Sequence, residues 1–423
     1  MTRSLAGHSA RHEVGMERIL RRLALLAMVV MAACNQVRGE VPDTSKFSYP
    51  TQLVADPAGD TVYVVSTNFD SRWQYGWVTP IDATDLTILG ASGVEVGSFA
   101  GDPVFELNDG KPTRMILPIR DGSTLAVIDL SRDQNGKAVL SCGAVLSDGR
   151  RRCGSDRSIK LEGLAKNADG DSVDTRDPFA IAIGAPITVP ADGDRPAGIE
   201  RPLYVGSLQD GVILVFSIRD GEMPVYQDYQ VFDAGLHTMI ELKLSDTQRV
   251  LLASNRGKSE LHVMAAGYQN GKWKALAQDP IVVAQSAASG DYFRGMVLSA
   301  HATVLYAAFR SPPSLAIFDV PADGRPVLRT FVALAGLPSG VAVYAPTGGT
   351  ELVYVTDFAG DSLYVVDPAI PAVVDRIPVG QGPYGVAIAA ERAFVADFEE
   401  QKVSVVALNP DDPEYHKEIK RLP

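Results

Sequence analysis

Cysteine is nearly missing from this chain, with three in 423 residues. None stands in a C-x-x-C or C-x-x-C-H arrangement, which excludes zinc ribbons and covalently attached haem. Positive charge is short too: 39 Lys and Arg face 51 Asp and Glu, for a net charge of -12. Phosphate backbones are held by clustered Lys and Arg, so nucleic acid is not an expected partner, and contact with anionic headgroups is disfavoured for the same reason. Histidine is sparse, and no Ser-His-Asp grouping or nucleophile elbow can be read. No G-x-x-x-x-G-K or G-x-G-x-x-G opens a helix, so no cofactor is expected. Helix-length amphipathic stretches are absent beyond the first 34 residues. What is abundant is apolar β-former, with 38 Gly and 27 Pro to punctuate it, the composition of a turn-rich β protein.

The one long apolar run, Leu23 to Ala33, has eleven residues and is too short to cross a bilayer. Arg18, Arg21 and Arg22 precede it and Ala32-Ala33-Cys34 closes it, the layout of a secretory signal. Met31-Ala-Ala-Cys34 resembles the bacterial lipobox, whose Cys becomes the lipidated first residue. Residues 1–33 therefore read as a lipoprotein signal, with Met16 as the expected start, and residues 34–46 as a tether. The alternative is a signal cut elsewhere with a chance Cys. Asn35 stands where inner-membrane lipoproteins often carry Asp, so outer-membrane sorting is expected, facing either periplasm or surface. With Cys34 assigned to lipid, Cys142 and Cys153 are left to form a small disulfide loop outside the cytoplasm; two unpaired thiols are the alternative.

The remainder is organised by repetition. Leu352 to Asp367 and Ala393 to Ala407 carry one pattern forty positions apart: Tyr354 on Phe394, Asp357 on Asp397, Phe358 on Phe398, Val365-Val366 on Val405-Val406. The same anchor recurs at Tyr63, Ile116, Tyr204, Leu252 and Tyr306, with an aliphatic residue nine places on in six of the seven copies. A short strand precedes most anchors and another follows each pair. Seven repeats of four short strands predict an all-β, seven-bladed propeller of antiparallel blades over residues 47–423, because a lone blade exposes both faces and stacking buries them. Within a repeat the innermost strand comes first, so the last blade is complete from contiguous chain, and closure rests on face packing unless Val41 to Phe47 adds a strand. Blade one needs an insertion within Asn68 to Gly76. Anchor spacing runs 53, 88, 48, 54, 48 and 40; the outlier predicts a large decorated loop over residues 131–176, carrying both Cys, and no eighth blade.

The tetrads Tyr354-Val-Thr-Asp357 and Phe394-Val-Ala-Asp397, each followed by a Val-Val strand, resemble the YVTN family of β-propeller repeats. The resemblance is clear over residues 337–408 and weaker elsewhere. It implies a seven-bladed fold and often a surface or periplasmic location, but no single activity, since relatives include lactonase-like and surface-layer-type proteins.

In a propeller the loops entering the innermost strands and those joining second to third strands open on one face, around the channel mouth. The first set offers Thr51, Phe105, Phe179, His237, Arg294, Ser339 and Tyr384. The second offers Arg120, Asp121, Gln209, Asp210, Arg256, Lys258, Arg310, Asp361, Glu399 and Glu400. His237, Arg294, Tyr384, Arg256 and Arg310, with Asp357 and Asp397, are the expected mouth-binding residues, and rigidly held loops are where such residues concentrate. The expected role is a binding or assembly platform for an envelope protein, peptide or glycan. A lactonase-like hydrolase is the alternative, with His237 as base and Arg294 as oxyanion clamp, and a purely structural envelope protein the third. Asp169, Asp171 and Asp174, with Asn167, have calcium-like spacing, but Ser172 stands where an EF-hand loop needs Gly and no Glu follows at the twelfth place, so a solvated acidic loop and no metal is the reading.

Overall fold

The computed structural model describes residues 39–191, 196–245, 247–283, 290–346 and 349–423; the leader and Cys34 lie outside the described residues. Seven sheets follow one another around a central channel, each with its first strand innermost. Blade one runs Pro50–Ala55, Thr61–Ser66, Gly76–Asp82 and Val94–Val96, and blade seven Pro383–Ala389, Arg392–Asp397, Lys402–Ala407 and Glu418–Leu422. The fold is the seven-bladed, all-β propeller that the repeats predict.

The anchors explain why. Tyr63, Ile116, Tyr204, Leu252, Tyr306, Tyr354 and Phe394 all lie on second strands and are at most 2% exposed. Their partners nine places on, Leu125 to Val403, lie on third strands and are fully buried. These two strands are buried on both faces, so they read as continuous apolar runs, whereas a fourth strand such as Ala372–Pro378 is largely exposed to solvent. The column is core. Closure is by face packing: Leu53, Val62, Val64 and Ile81 of blade one join Ala387, Phe394, Val403 and Val405 of blade seven in one cluster. Arg392 ties the joint by donating to the carbonyls of Ala83 (2.5 Å) and Thr84 (2.9 Å).

Two expectations are corrected. Residues 39–46 are not free tether. They form no strand, but Trp77 Nε1 donates to the Lys46 carbonyl (3.0 Å) and Thr79 Oγ1 to that of Thr44 (2.9 Å), docking the segment along blade one. Residues 131–176 are more than a loop. Ala138–Ser141 and Ser158–Lys160 both pair with the third strand of blade two. The hairpin Gly143–Val145/Arg151–Cys153, held by the Cys142–Cys153 disulfide, adds to the edge of blade one. Strands of three or four residues that borrow an existing edge need no alternation of their own, which is why the pattern did not reveal them. Arg150 and Arg152 of this hairpin pair with the fully buried Glu95 carboxylate, so the insertion rivets blade one to blade two.

Candidate functional site

The mouth is built from two columns of the repeat. In six blades the second residue of the innermost strand follows a residue paired to the end of the second strand: Pro50 with Ser66, Pro178 with Ser207, Leu236 with Asn255, Phe293 with Phe309, Pro338 with Asp357, Pro383 with Asp397. A register irregularity follows each pairing, and such a bulge re-aims the local side chain. Thr51, Phe179, His237, Arg294, Ser339 and Tyr384 occupy this position. In blade two the matching pair is Ala100 with Ile119, so the position belongs to Gly101 and not to Phe105. Phe105 packs on the anchor Tyr63 instead, ring centroids 5.5 Å apart. A Cβ on Gly101 would stand 2.4 Å from the Phe179 carbonyl oxygen, so blades two and three can approach only with glycine there.

The second column is the fourth residue after each anchor: Thr67, Arg120, Leu208, Arg256, Arg310, Phe358 and Phe398. Arginine occupies it in blades two, four and five and phenylalanine in blades six and seven.

His237 is buried, with Nε2 3.2 Å from the Tyr384 hydroxyl, Nδ1 3.2 Å from Thr238 Oγ1, and its ring 4.8 Å from that of Phe179. Burial, followed by the charges of Arg294, Arg256, Arg310 and Arg120, holds the imidazole well below the ordinary histidine range, so it is neutral at pH 7. Arg294 is 2% exposed; burial and then the Arg310 and Arg256 charges bring it down to about 10, so it stays cationic. It ion-pairs with Asp291 and donates to the Phe293 carbonyl at 3.1 Å. Arg310 donates to the other Asp291 oxygen (2.9 Å), the Pro338 carbonyl (2.8 Å) and Ser339 Oγ (2.5 Å). Arg120 pairs with Asp177 and lies 5.9 Å over the Phe179 ring. The Arg256 side chain is exposed and has no hydrogen-bond or ion-pair partner among the described residues. Four guanidiniums thus gather around His237, two of them sharing Asp291 and one paired with Asp177.

Below the mouth lies a cavity of about 180 Å³ lined by Gln52, Asp102, His237, Thr238, Ser339 and Tyr384. Asp102 Oδ1 is shut from solvent without a hydrogen-bond partner. Burial pushes this carboxyl up to about 7, against the pull of the Gln52 side chain. The structure therefore brings His237, Arg294, Tyr384, Arg256 and Arg310 together, and adds Asp102 and Asp291, which motif reading missed because neither lies in a repeated position.

Asp357 and Asp397 are corrected. Both are fully buried inside their blades. Asp357 accepts from the Leu337 amide (2.8 Å) and the Tyr364 hydroxyl (3.3 Å), and Asp397 from Ser404 Oγ (2.7 Å). They brace strands and are not offered to a ligand, because the side chain that ends a second strand turns into the blade. Asp169, Asp171 and Asp174 lie exposed on a turn whose Asn167 Oδ1 accepts the amides of Asp169 (3.0 Å) and Asp171 (2.9 Å), while Asp174 pairs with Arg176. Among the described residues, one group has ligand geometry for a metal, Asp233, Glu260 and His262. The Lys258 ammonium sits 2.5 Å from Asp233 and 3.8 Å from Glu260, where a cation would sit.

No family model and no curated protein matches this chain. Solved structures do match, at low identity. Hydrazine synthase of Kuenenia stuttgartiensis superposes with a TM-score of 0.56 at 15% identity, covering 88% of this chain and 97% of that one. The Cps50 (Swd1) β-propeller domain of Myceliophteria thermophila gives 0.54 at 11%, covering 85% and 96%. The periplasmic gluconolactonase of Pseudomonas aeruginosa gives 0.52 at 16%, covering 79% and 86%. Proteins of such different description share the architecture and little else, so the likeness is one of fold: this chain is a seven-bladed β-propeller.

Proposed function

We propose that this protein is a lipid-anchored propeller of the bacterial envelope that binds its ligand at the channel mouth through an anionic group. The observation that carries the reading is the guanidinium cluster around His237, in which Arg256 has no counter-ion among the described residues and Arg294 and Arg310 share one. Guanidiniums fixed in a concave, partly desolvated site hold a carboxylate or phosphate far better than surface charges do. The Met31-Ala-Ala-Cys34 closure of the leader supports the anchor and the YVTN-like tetrads support an extracytoplasmic setting. Calorimetric titration with propionate and with phosphate tests the site. One of these anions binds, and Arg256→Gln weakens it about tenfold, the scale of one charge-assisted contact; absence of binding by both anions at low salt overturns the reading. In cell fractionation, Cys34→Ser is expected to release the protein from the membrane into the soluble fraction, and retention overturns the anchor.

A second reading, a lactonase-like hydrolase, is favoured by one feature: a neutral imidazole beside a buried guanidinium, the pairing a general base and an oxyanion clamp require. Gluconolactonase among the structural neighbours fits it. Acid release from a sugar δ-lactone, lost in His237→Gln, is the expected result; release unchanged in that variant, or none from wild type, rejects it.

A further inference from the structure

The half of the mouth opposite the guanidiniums is aromatic. Tyr49, Phe69 and Phe398 form a triangle with centroids 5.1 to 5.8 Å apart. Phe99 joins Phe69 at 6.1 Å, and Phe358 joins Phe398 at 6.1 Å. Phe69 is 56% exposed, yet its loop is held firmly. Asn68 Nδ2 donates to the Trp73 carbonyl (2.8 Å) and Ser98 Oγ (3.0 Å), and Asn68 Oδ1 accepts the Trp73 amide (2.9 Å). This loop is the insertion peculiar to blade one. A fixed loop that displays a large apolar ring to solvent forgoes burial that a polar residue would not need.

Tyr384 connects the two halves. Its ring lies 6.3 Å from Phe358 and 6.4 Å from Phe398, and its hydroxyl meets His237. The two repeat columns therefore lay out a bipolar rim, arginine over blades two, four and five and phenylalanine over blades six and seven, with Phe69 above blade one.

We infer that the mouth takes an amphiphilic anion: an aromatic ring carrying a carboxylate, the ring against Phe69, Phe398 and Tyr384 and the carboxylate towards Arg256 and Arg294. This inference rests on the anion site proposed above and adds the second half of the ligand. A sugar is disfavoured because its hydroxyls need hydrogen-bonding partners, and phenylalanine rings supply none. A ring is favoured over a plain alkyl chain because edge-to-face and offset contacts with several aromatics add to simple burial. Free aryl acids and the C-terminal residue of a peptide ending in phenylalanine share this chemistry.

The test is calorimetric titration of the full folded protein with 3-phenylpropionate, propionate, 3-phenylpropan-1-ol and glucuronate. The expected result is that 3-phenylpropionate binds at least about tenfold more tightly than propionate, the scale of burying one ring. Phe69→Ala, an exposed position whose loop is held by Asn68, removes that advantage and leaves propionate affinity unchanged. Arg256→Gln weakens both acids and leaves the alcohol unaffected. Equal affinity for the two acids, or an advantage that survives Phe69→Ala, overturns the aromatic half while the anion site stands. Failure of every anion, phosphate included, removes both. Glucuronate binding more tightly than 3-phenylpropionate overturns the inference in favour of a sugar. A tripeptide ending in phenylalanine upholds it by binding better than the free acid, which assigns the ligand to a chain terminus; the reverse order upholds it and assigns a free acid.

Discussion

Replacing Phe394 by alanine lowers the unfolding free energy by about 3–5 kcal/mol, the range for emptying a buried aromatic site. Phe394 is fully buried, and its cluster draws on blade one and blade seven alike. Blade seven completes its four strands from its own contiguous chain, so no shared strand laces the ring shut. The joint is held by apolar packing and a few side-chain hydrogen bonds, and a cavity there weakens the contact on which the toroid depends. Ile370→Ala, at a site 63% exposed, is the control and changes stability by less than about 0.5 kcal/mol. Urea denaturation followed by tryptophan fluorescence measures both, since Trp77 belongs to blade one. If the two variants unfold together with wild type, the ring is not closed by packing at this joint.

Asp397→Asn should act in the opposite direction and depend on pH. Burial raises the Asp397 carboxyl to about 7, opposed by its hydrogen bond from Ser404. The geometry agrees: Ser404 Oγ stands 2.7 Å from both Asp397 Oδ2 and Glu418 Oε1. One hydroxyl hydrogen cannot serve two carboxylates. Protonation of Asp397 reverses its contact: the carboxyl O–H donates to Ser404 Oγ, which then donates to Glu418, so that both short contacts are satisfied. Because the folded pKa lies above the unfolded one, near 4, the group's stabilising contribution is complete below pH 4 and is lost as pH rises to 7. A shift of about three units corresponds to roughly 4 kcal/mol as an upper figure. The Asn variant, uncharged throughout, is expected to be about 2–4 kcal/mol more stable than wild type at pH 8 and nearly equal to it at pH 4. Denaturation midpoints across pH 4 to 8 decide it. Parallel curves for the two proteins would mean that Asp397 is ionised throughout. Asp102, also raised to about 7, is present in both proteins, so its contribution cancels and the difference belongs to Asp397.

The same pair of aspartates shows where sequence reading reached its limit. Asp357 and Asp397 occupy one motif position, forty residues apart, and were expected to do one thing at the mouth. In the fold, Asp357 receives an amide, a tyrosine hydroxyl and the nearby Arg376. Asp397 receives a single hydroxyl and keeps Oδ1 without a partner. Identical letters acquire different hydrogen-bond partners because the neighbours that supply them come from other strands. Phe105 and Gly101 teach the same about position, since the four-residue difference in where the blade-two mouth position falls leaves no mark on the hydrophobic pattern. The arginine and phenylalanine column, by contrast, was present in the sequence at a fixed offset from every anchor. Arg120, Arg256 and Arg310 are legible there as mouth residues, but the division into a cationic and an aromatic side depends on the order of the blades around the ring.

The amino-acid sequence by itself determined the propeller, the number of blades, the strand that lies innermost, the buried anchor column and the closure by packing. Periodic burial dictates all of these, and burial is local enough to be written along the chain. Only the tertiary structure decided that the insertion rivets two blades, that residues 39–46 dock, and that the mouth has a cationic and an aromatic side. It also brought Asp102, His237 and Tyr384 into one small cavity. Such features arise from residues on different blades meeting at an axis, where desolvation and mutual charge set each group's state, and no spacing along one strand encodes that.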